Sequence, residues 1–362
     1  MTHSMFNGVY KDRTVLVTGH TGFKGSWMVL WLSLLGTKVI GYALDPPTEP
    51  SLFNCLNLKD RIVAIKGDIC NYNHLKNILE EYRPEIVFHL AAQSLVRCSY
   101  LNPVDTFTIN VMGTVHLLEA VRQVEGVKAL VNVTSDKCYE NKNWIWGYRE
   151  SDRLSGSDPY SCSKSCAELV TKAYIDSFFD QGKLGLSLAS VRAGNVIGGG
   201  DWSEDRLIPD CIKAFSQNKQ VVIRYPNAVR PWQHVLEPLY GYMLLAQRLL
   251  QDGPQFMEAW NFGPDNNAAQ PVRSIVEQIV EIWGEGASWT TSADEHPPEA
   301  NCLKLDCGKA KARLGWSPQW DLPFALRQTV EWYKAYYRNK DVFNLTVSQI
   351  KSYEDHLLQE GR

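Results

Sequence analysis

The residues of this 362-residue chain that point most directly to chemistry are a serine, a tyrosine and a lysine. Ser135 ends an apolar, β-branched run, and Tyr160 and Lys164 stand four residues apart, which places them on one face of a helix. A phenol with an ordinary pKa of about 10 is a poor base near neutrality. A neighbouring ammonium and a cationic nicotinamide both favour the phenolate and lower that pKa. The set therefore predicts proton removal from a sugar hydroxyl while a bound nicotinamide accepts hydride.

Two further ionisable residues follow the serine directly. Asp136 and Lys137 are surplus for a plain dehydrogenase, so they indicate a second reaction, an elimination. A carboxyl group that burial keeps protonated can give its proton to a departing hydroxyl. A lysine serves as a base only when it is neutral, and a charged lysine instead stabilises an enolate. The sequence leaves these two roles of Lys137 open.

A glycine-rich turn precedes this set in the chain. Residues 19–25 read Gly-His-Thr-Gly-Phe-Lys-Gly and join an apolar strand to an apolar segment of helical period. Glycines at a first strand–helix junction let the backbone approach a pyrophosphate, which then lies on the helix N-terminus. We expect this turn to hold a dinucleotide through Gly19, His20, Gly22, Phe23 and Gly25.

Residues at the ends of the second and third strands are candidates for the adenosine half. Asp45 lies twenty residues after Gly25, where an acid binds the ribose hydroxyls, and its alternative is a turn before two prolines. No arginine sits beside it, which favours NAD over NADP. Asp68, followed by Ile69, either accepts from the adenine amine or caps the helix that begins near Asn71.

The remaining candidates lie farther along the chain. Ala91 and Ala92 provide small side chains at a strand end, where a dinucleotide crosses the sheet edge. Asn110, polar in an apolar helix, is either a cofactor contact or a hydrogen bond between helices. Asn195 follows the sixth strand, at the edge where ligands bind. The planar guanidinium of Arg230 suits a diphosphate, and its alternative is an ordinary surface arginine.

Strands alternate with helical patterns through the first half of the chain. Six strand patterns end near Gly19, Asp45, Gly67, Ala92, Ser135 and Arg192, with helices predicted at 72–82, 105–124 and 159–179. This order predicts an α/β fold, a Rossmann-like doubly wound parallel sheet. Glycines, prolines and tryptophans punctuate shorter elements after Gly194, which predicts a smaller, interwoven C-terminal α/β lobe for the substrate. We place the cofactor domain at 1–193 plus about 232–252, and the lobe at about 194–231 and 253–362.

Bulk composition excludes several classes of protein. The net charge of −3 favours neither nucleic acid nor an anionic membrane, and no run of residues is apolar enough to span a bilayer. The start of the chain lacks signal-peptide character, so we expect a cytoplasmic protein. Nine cysteines are scattered without a CxxC pair, which is typical of reduced structural thiols. No cluster has metal-ligand spacing, and we expect no metal.

Together these motifs resemble the extended short-chain dehydrogenase/reductase superfamily over nearly the whole chain. Within its nucleotide-sugar branch, residues 19–27, 91–94, 134–139 and 230–235 are similar to the 4,6-dehydratases that act on CDP-glucose. The resemblance implies a lyase that retains NAD and makes CDP-4-keto-6-deoxyglucose, a precursor of O-antigen deoxysugars. It also implies a homo-dimer or tetramer whose dimer packs the helices at 105–124 and 159–179. On the same basis we assign four residues to the substrate site: Gln93, Ser94, Leu207 and His296.

Two positions depart from the related dTDP-glucose dehydratases. These enzymes carry a glutamate as the C5 base where this chain has Lys137, and a threonine where it has Ser135. A nucleotide-sugar 4-epimerase, or a dehydratase for another nucleotide sugar, remains the alternative, although an epimerase needs neither Asp136 nor Lys137. A protein that binds NAD without turnover is disfavoured because Tyr160 and Lys164 are both present.

Overall fold

A computed structural model describes residues 5–179, 185–265, 268–284, 286–292 and 303–359. The strands in these ranges are β1 (Thr14–Thr18), β2 (Lys38–Ala43), β3 (Val63–Lys66), β4 (Ile86–His89), β5 (Ala129–Val133), β6 (Ser187–Ala193), β7 (Asn195–Ile197), β8 (Val221–Ile223), β9 (Val229–His234), β10 (Ala259–Phe262), β11 (Ala269–Pro271) and β12 (Trp289–Thr291).

The α-helices in the same ranges alternate with these strands. They are α1 (Phe23–Leu34), α2 (Leu52–Cys55), α3 (Tyr72–Tyr82), α4 (Val96–Leu101), α5 (Pro103–Phe107), α6 (Gly113–Gln123), α7 (Pro159–Tyr174), α8 (Leu207–Ser216), α9 (Leu236–Asp252), α10 (Val272–Trp283), α11 (Leu322–Tyr337) and α12 (Val342–Gln359). Single π-helical turns join α5 to α6 at Thr108–Met112 and extend α7 at Ile175–Phe179.

The large sheet confirms the predicted fold class. Its order in the described chain is β3-β2-β1-β4-β5-β6-β10, with every neighbouring pair parallel. The chain crosses over between β3 and β4, so the sheet has the switch point at which doubly wound folds bind ligands. Strands β1, β4 and β5 are buried almost throughout because helices cover both faces, which explains their continuous apolar runs.

The smaller lobe is built from short elements. Strand β9 lies between β7 and antiparallel β11, and β8 pairs in parallel with β12. Helix α9 packs on β5 and β6 of the large sheet. Strand β10 joins the edge of that sheet beside β6, although the sequence division placed it in the lobe. Helix α12 also returns to the first half of the chain, where Glu354 accepts from the Trp31 indole at 2.7 Å.

Local signals fix the helix that carries the tyrosine and lysine. The carboxylate of Asp158 accepts a hydrogen bond from the Ser161 amide at 3.0 Å, and Pro159 occupies the first helical position. Both are strong start signals because they satisfy, or remove, an unpaired amide of the first turn. Helix α7 therefore begins one residue before Tyr160, at the edge of the sheet.

No helix among the residues described is both long and apolar enough to cross a membrane.

Candidate active site

The carboxyl ends of the central strands open into a cleft of about 1280 Å³. Its walls come from the turn before α1, the ends of β4, β5 and β6, the start of α7 and the loops around α8 and β9. The cleft is larger than the roughly 300–1,000 Å³ of an ordinary ligand pocket, so it has room for two extended ligands.

The glycine-rich turn forms a tight cradle at one end of this cleft. A Cβ atom on Gly19, whose φ is +74°, would lie 2.7 Å from the Ala91 nitrogen, and one on Gly25 would lie 2.2 Å from the Gly19 oxygen. Gly22 is the N-cap of α1 and has no side-chain cap, while a Cβ there would meet only the Gly19 oxygen at 3.5 Å. The turn and the first residues of α1 line the cleft, and a helix N-terminus without a side-chain cap at such a turn is the arrangement that binds a pyrophosphate. These residues fit a dinucleotide.

Two predicted cofactor residues lie elsewhere. The His20 ring does not line the cleft; it packs edge-on against Phe53 and beside Gly41, and burial lowers its pKa to about 4. The Asn110 amide bonds to both the N–H and the C=O of Gln93, at 2.9 and 3.0 Å, and donates to Ser163 at 2.9 Å. Its hydrogen bonds thus join the loop after β4 to α7, the structural alternative that the sequence left open.

The two predicted acids lie at the end of the cleft beside β2 and β3. Asp45 is exposed at the rim and forms an ion pair with Lys66. Asp68 accepts a hydrogen bond from the Cys70 amide at 2.9 Å, which closes the turn after β3. Asn71 is the residue that caps α3, through the His74 amide. Of the other predicted cofactor contacts, the cleft is lined by Phe23, Ile69, Ala91 and Ala92.

The five predicted catalytic residues meet at the other end of the cleft. Ser135, Asp136 and Lys137 follow β5, and α7 brings Tyr160 and Lys164 opposite them. The Ser135 hydroxyl donates to Asp136 Oδ1 at 3.0 Å, and Lys137 Nζ lies 3.8 Å from the same oxygen. Asp136 is only 3 % exposed, so its carboxylate interacts with these neighbours in a nearly dry site.

Burial dominates the electrostatics of the tyrosine and of the lysine on α7. It raises the pKa of Tyr160, while the Lys137 ammonium, a hydrogen bond with Ser135 and the Arg206 guanidinium act in the opposite direction. Burial lowers the pKa of Lys164 to about 8, and Glu168 opposes that shift. The cations that favour the phenolate in this arrangement are thus Lys137 and Arg206, whereas the sequence predicted Lys164. A bound nicotinamide cation would favour it further.

A buried ion pair connects the helix and the strands that carry the catalytic residues. Arg192 on β6 and Glu168 on α7 are 2.7 Å apart, and both side chains are at most 3 % exposed. Glu168 also accepts hydrogen bonds from Thr134, at the end of β5, and from Ser190 on β6. The carboxylate therefore ties both strands to the helix one turn after Lys164.

Sequence reasoning missed two cations of the site. Lys24 lies in the glycine-rich turn and lines the cleft; burial, and the nearby Arg206, lower its pKa to about 7. Within the part of the chain described, its ammonium has no hydrogen bond or ion pair. A lysine inside a glycine-rich turn with no acidic residue to pair with it was the available signal. Arg206 pairs with Asp201 at 2.8 Å and reaches the cleft from the loop before α8, which no sequence pattern indicates.

The predicted substrate residues line the same cleft, with one outside the described residues. The cleft is lined by Gln93, Ser94, Asn195, Leu207 and Arg230. His296 lies outside the described part of the chain. The Gln93 amide donates to Leu95 and Thr106, so it also shapes its own loop. No group of three or more potential metal ligands occurs among the residues described.

Comparison with known proteins defines the class. A family model described as GDP-mannose 4,6 dehydratase matches residues 16–329, and the chain belongs to this family of the extended short-chain dehydrogenase/reductase superfamily. Over 347 residues the chain is 54% identical to the CDP-glucose 4,6-dehydratase of Salmonella typhimurium, covering 95% of this chain and 97% of that enzyme. It is 26% identical to the dTDP-glucose 4,6-dehydratase of Haemophilus influenzae, covering 88% and 97%.

Solved structures agree with the fold. The dTDP-glucose 4,6-dehydratase of Bacillus anthracis in complex with NAD superimposes with a TM-score of 0.73 at 25% identity, covering 91% of this chain and 99% of that one. The UDP-glucose 4-epimerase of Thermotoga maritima with UDP-glucose gives a TM-score of 0.76 at 24% identity, covering 89% and 99%.

Proposed function

We propose that this protein is an NAD-dependent lyase that converts CDP-glucose into CDP-4-keto-6-deoxyglucose and water. The observation that carries the proposal is the buried Asp136, with Lys137 3.8 Å away, in the same cleft as Tyr160. An acid and an amine beside a dehydrogenase tyrosine serve an elimination that an epimerase does not perform. The 54% identity to a CDP-glucose 4,6-dehydratase supports CDP-glucose as the substrate.

The residues divide the work between oxidation and elimination. The chemistry that NAD supplies when bound is to hold the C4 hydrogen as hydride and to return it to C6. Tyr160 takes the C4 hydroxyl proton, and Lys164 binds the ribose hydroxyls of the cofactor. The resulting 4-ketone acidifies the C5 hydrogen. Lys137, with about a third of its side chain exposed, exchanges the C5 proton, and Asp136 protonates the departing C6 hydroxyl.

We further propose that the protein assembles through its α5–α6 and α7 helices. Large apolar side chains are exposed on and beside these helices, among them Tyr100, Leu101, Val104, Met112 and Leu169. Exposed apolar patches of this kind mark association surfaces. The occupant that fits two such helices is the same pair in a second copy, which gives a homo-dimer or a tetramer built from dimers. We place the enzyme in the cytoplasm.

The decisive experiment supplies NAD with CDP-, dTDP-, UDP- and GDP-glucose and follows the base-induced absorbance of a 4-keto-6-deoxy sugar. We expect signal with CDP-glucose and none after Tyr160→Phe, which should still bind the nucleotide sugar. A product that retains its C6 hydroxyl but is inverted at C4 would establish the 4-epimerase, which shares Tyr160, Lys164 and the glycine-rich turn. Absence of any product from all four sugars would refute the proposal.

A further inference from the structure

One branch of the cleft lies beyond both the glycine-rich turn and the catalytic residues. Its walls come from α8, from β8 with the loop that follows it, and from the start of α10. The turn before α1 suits the pyrophosphate of the cofactor, and the end of β5 carries the residues that act on the hexose. The nucleotide half of a nucleotide sugar is therefore left for this branch.

The sides of this branch are apolar. Val222, in the middle of β8, lines the cleft and is 57 % exposed, although its neighbours Val221 and Ile223 are buried. Ile208 from α8 and Val272 from the start of α10 line the same branch. Apolar walls of a concave site take the flat faces of a ring and leave the ring's polar edge to a few hydrogen-bonding groups. The branch thus has sides that suit a nucleobase.

A guanidinium lies at the end of β8. Arg224 follows the strand directly, lines the cleft, and has a side chain that is 25 % exposed. Its Nη1 donates to Asp205 Oδ1 at 3.3 Å, and the same oxygen accepts from Arg97 at 2.9 Å. Asp205 therefore positions the guanidinium through one nitrogen. Because a guanidinium carries five N–H donors in one plane, others remain for a ligand.

A carboxylate lies near this guanidinium on α8. Asp210, in the first turn of the helix, is half-buried and lines the cleft. Among the contacts of the described ranges, its carboxylate takes part in no hydrogen bond or ion pair. Burial raises its pKa to about 6, the charge of Asp205 adds to this shift, and the Arg224 guanidinium opposes it. A half-buried acceptor without a partner gains stability when a ligand donates to it.

We infer, on the basis of the proposed function, that Arg224 and Asp210 bind the polar edge of cytosine and make the enzyme selective for CDP-sugars. That edge carries two acceptors, O2 and N3, followed by one donor, the N4 amine. The planar guanidinium of Arg224 donates to O2 and N3, and the Asp210 carboxylate accepts from N4, as carboxylates do when proteins contact this base.

The same two groups oppose the other pyrimidines. Uracil and thymine carry an N3–H donor and an O4 acceptor where cytosine carries an acceptor and a donor. The N3–H would meet the donors of Arg224, and O4 would meet the carboxylate of Asp210. A site built to hydrogen-bond one group rejects an analogue that lacks it by as much as about 10⁴–10⁵-fold, because its own polar groups are then left unpaired. Both contacts therefore favour CDP over UDP and dTDP.

The test measures nucleotide affinity separately from turnover. Calorimetric titration gives the Kd of CDP and of UDP for the full protein with NAD present. The variants are Arg224→Gln, Asp210→Asn and the double variant, whose amide groups offer an acceptor to the uracil N3–H and a donor to O4. Lys213→Gln is the matched control, because Lys213 lies on α8 near Asp210 but is exposed and does not line the cleft.

We expect the wild type to bind CDP at least about 10²-fold more tightly than UDP. Arg224→Gln and Asp210→Asn should each raise the Kd of CDP by about 10- to 100-fold, as is typical for loss of a hydrogen bond to a charged group. Neither should weaken UDP, and in the double variant the two Kd values should become about equal or reverse their order. Lys213→Gln should keep the wild-type ratio.

A further variant guards against misfolding. Arg224→Lys keeps the positive charge beside Asp205 but lacks the planar fork, so it should also lose selectivity for CDP. The Tm of each variant identifies any that does not fold, and Arg224→Lys with Asp210→Asn then supplies the comparison of CDP with UDP.

The outcomes separate this inference from the proposed function. Equal losses of CDP and UDP affinity in the folded variants would mean that Arg224 and Asp210 only support the walls of the branch, which overturns the inference. A wild type that binds CDP and UDP equally overturns it without any variant. If the wild type makes keto-sugar from CDP-glucose in either case, the dehydratase function stands. If CDP selectivity is present and is lost in the variants, but no donor yields keto-sugar, the proposed function fails and the recognition of cytosine stands.

Discussion

The buried pair of Glu168 and Arg192 allows a quantitative prediction. Replacing Glu168 with Gln leaves the Arg192 guanidinium at the end of the sheet without its counter-charge. Breaking a buried pair of this kind costs about 3–5 kcal/mol. At roughly 2.1 cal/mol/K per residue, unfolding of 362 residues has an entropy near 0.8 kcal/mol/K. The Tm of Glu168→Gln should therefore fall by about 4–7 °C in differential scanning calorimetry.

The pH dependence of this loss has a definite sign. Burial alone would raise the pKa of Glu168, but the Arg192 guanidinium and hydrogen bonds from Arg192, Thr134 and Ser190 outweigh it, so the pKa is lowered. A lowered pKa stabilises the fold above the unfolded value of about 4.3, and this stabilisation is lost as pH falls through the folded value. The Tm difference between wild type and variant should be constant from pH 8 to about 5 and shrink below about pH 4.

A matched control lies farther along the same helical segment. Lys172 and Asp176 also form an ion pair, but both side chains are exposed. Asp176→Asn should shift the Tm by less than about 1 °C, since exposed pairs contribute at most about 1 kcal/mol. A double variant, Glu168→Leu with Arg192→Met, should recover part of the loss because it removes both charges. If Glu168→Gln unfolds within 1 °C of wild type, the buried-charge argument is wrong.

Three further predictions concern other positions. Burial raises the pKa of Glu237 to about 7, so the stabilisation from this carboxyl group is present in acid and lost as the pH rises through 7. The free energy of unfolding of wild type, relative to that of Glu237→Gln, should rise by roughly 2 kcal/mol from pH 8 to pH 5.5 in urea unfolding. Gly25→Ala should lower the Tm by several degrees, because the new Cβ meets the Gly19 oxygen. Gly22→Ala should leave the Tm unchanged and weaken the binding of NAD, as measured by calorimetric titration. Lys24→Met should raise the ligand-free Tm, because it removes a buried ammonium, and raise the KM for CDP-glucose about tenfold.

Each of these has a result that would contradict it. An unchanged pH dependence in Glu237→Gln would mean that the hydrogen bonds from Gln319, Trp320 and Tyr353 hold the carboxylate ionised. Equal thermal losses in the two glycine variants would mean that the turn has one common packing requirement. A Lys24→Met protein with a lower Tm and an unchanged KM would give this lysine a structural role.

The elements that sequence predicted well are those with strong local patterns. Strands β1, β2, β4 and β5 stand out because burial on both faces makes them largely apolar runs. Helix α7 carries its start signals in Asp158 and Pro159. The place of β10 was misjudged because a four-residue strand bears no mark of its distant partner β6. Helix α12 was missed because its stability depends on contacts far away in the chain, such as Glu354 with Trp31.

In the candidate site, too, the residues with a local sequence pattern could be predicted and those positioned only by the fold could not. Ser135, Tyr160 and Lys164 could be predicted together from residue type and short spacing, and the structure brings them to the same cleft. The Arg192–Glu168 pair and the Arg206–Asp201 pair could not, because their contacts depend on the path of the chain rather than on a pattern. Position within a motif does not fix where a side chain lies: His20 belongs to the glycine-rich motif, and its ring packs against Phe53 rather than lining the cleft.

The turn after β5 shows why three consecutive residues can perform three different tasks. Ser135 is still extended, with φ −164° and ψ 156°, and the 3₁₀ turn begins at Asp136. This change of conformation lets the serine oxygen cap the turn through the Lys137 amide while its hydrogen reaches the neighbouring carboxylate. Because the turn is short, Asp136 is directed inward and Lys137 stays partly exposed. The order Ser-Asp-Lys therefore places a hydroxyl, a buried acid and an amine side by side, and a regular strand or helix would separate them.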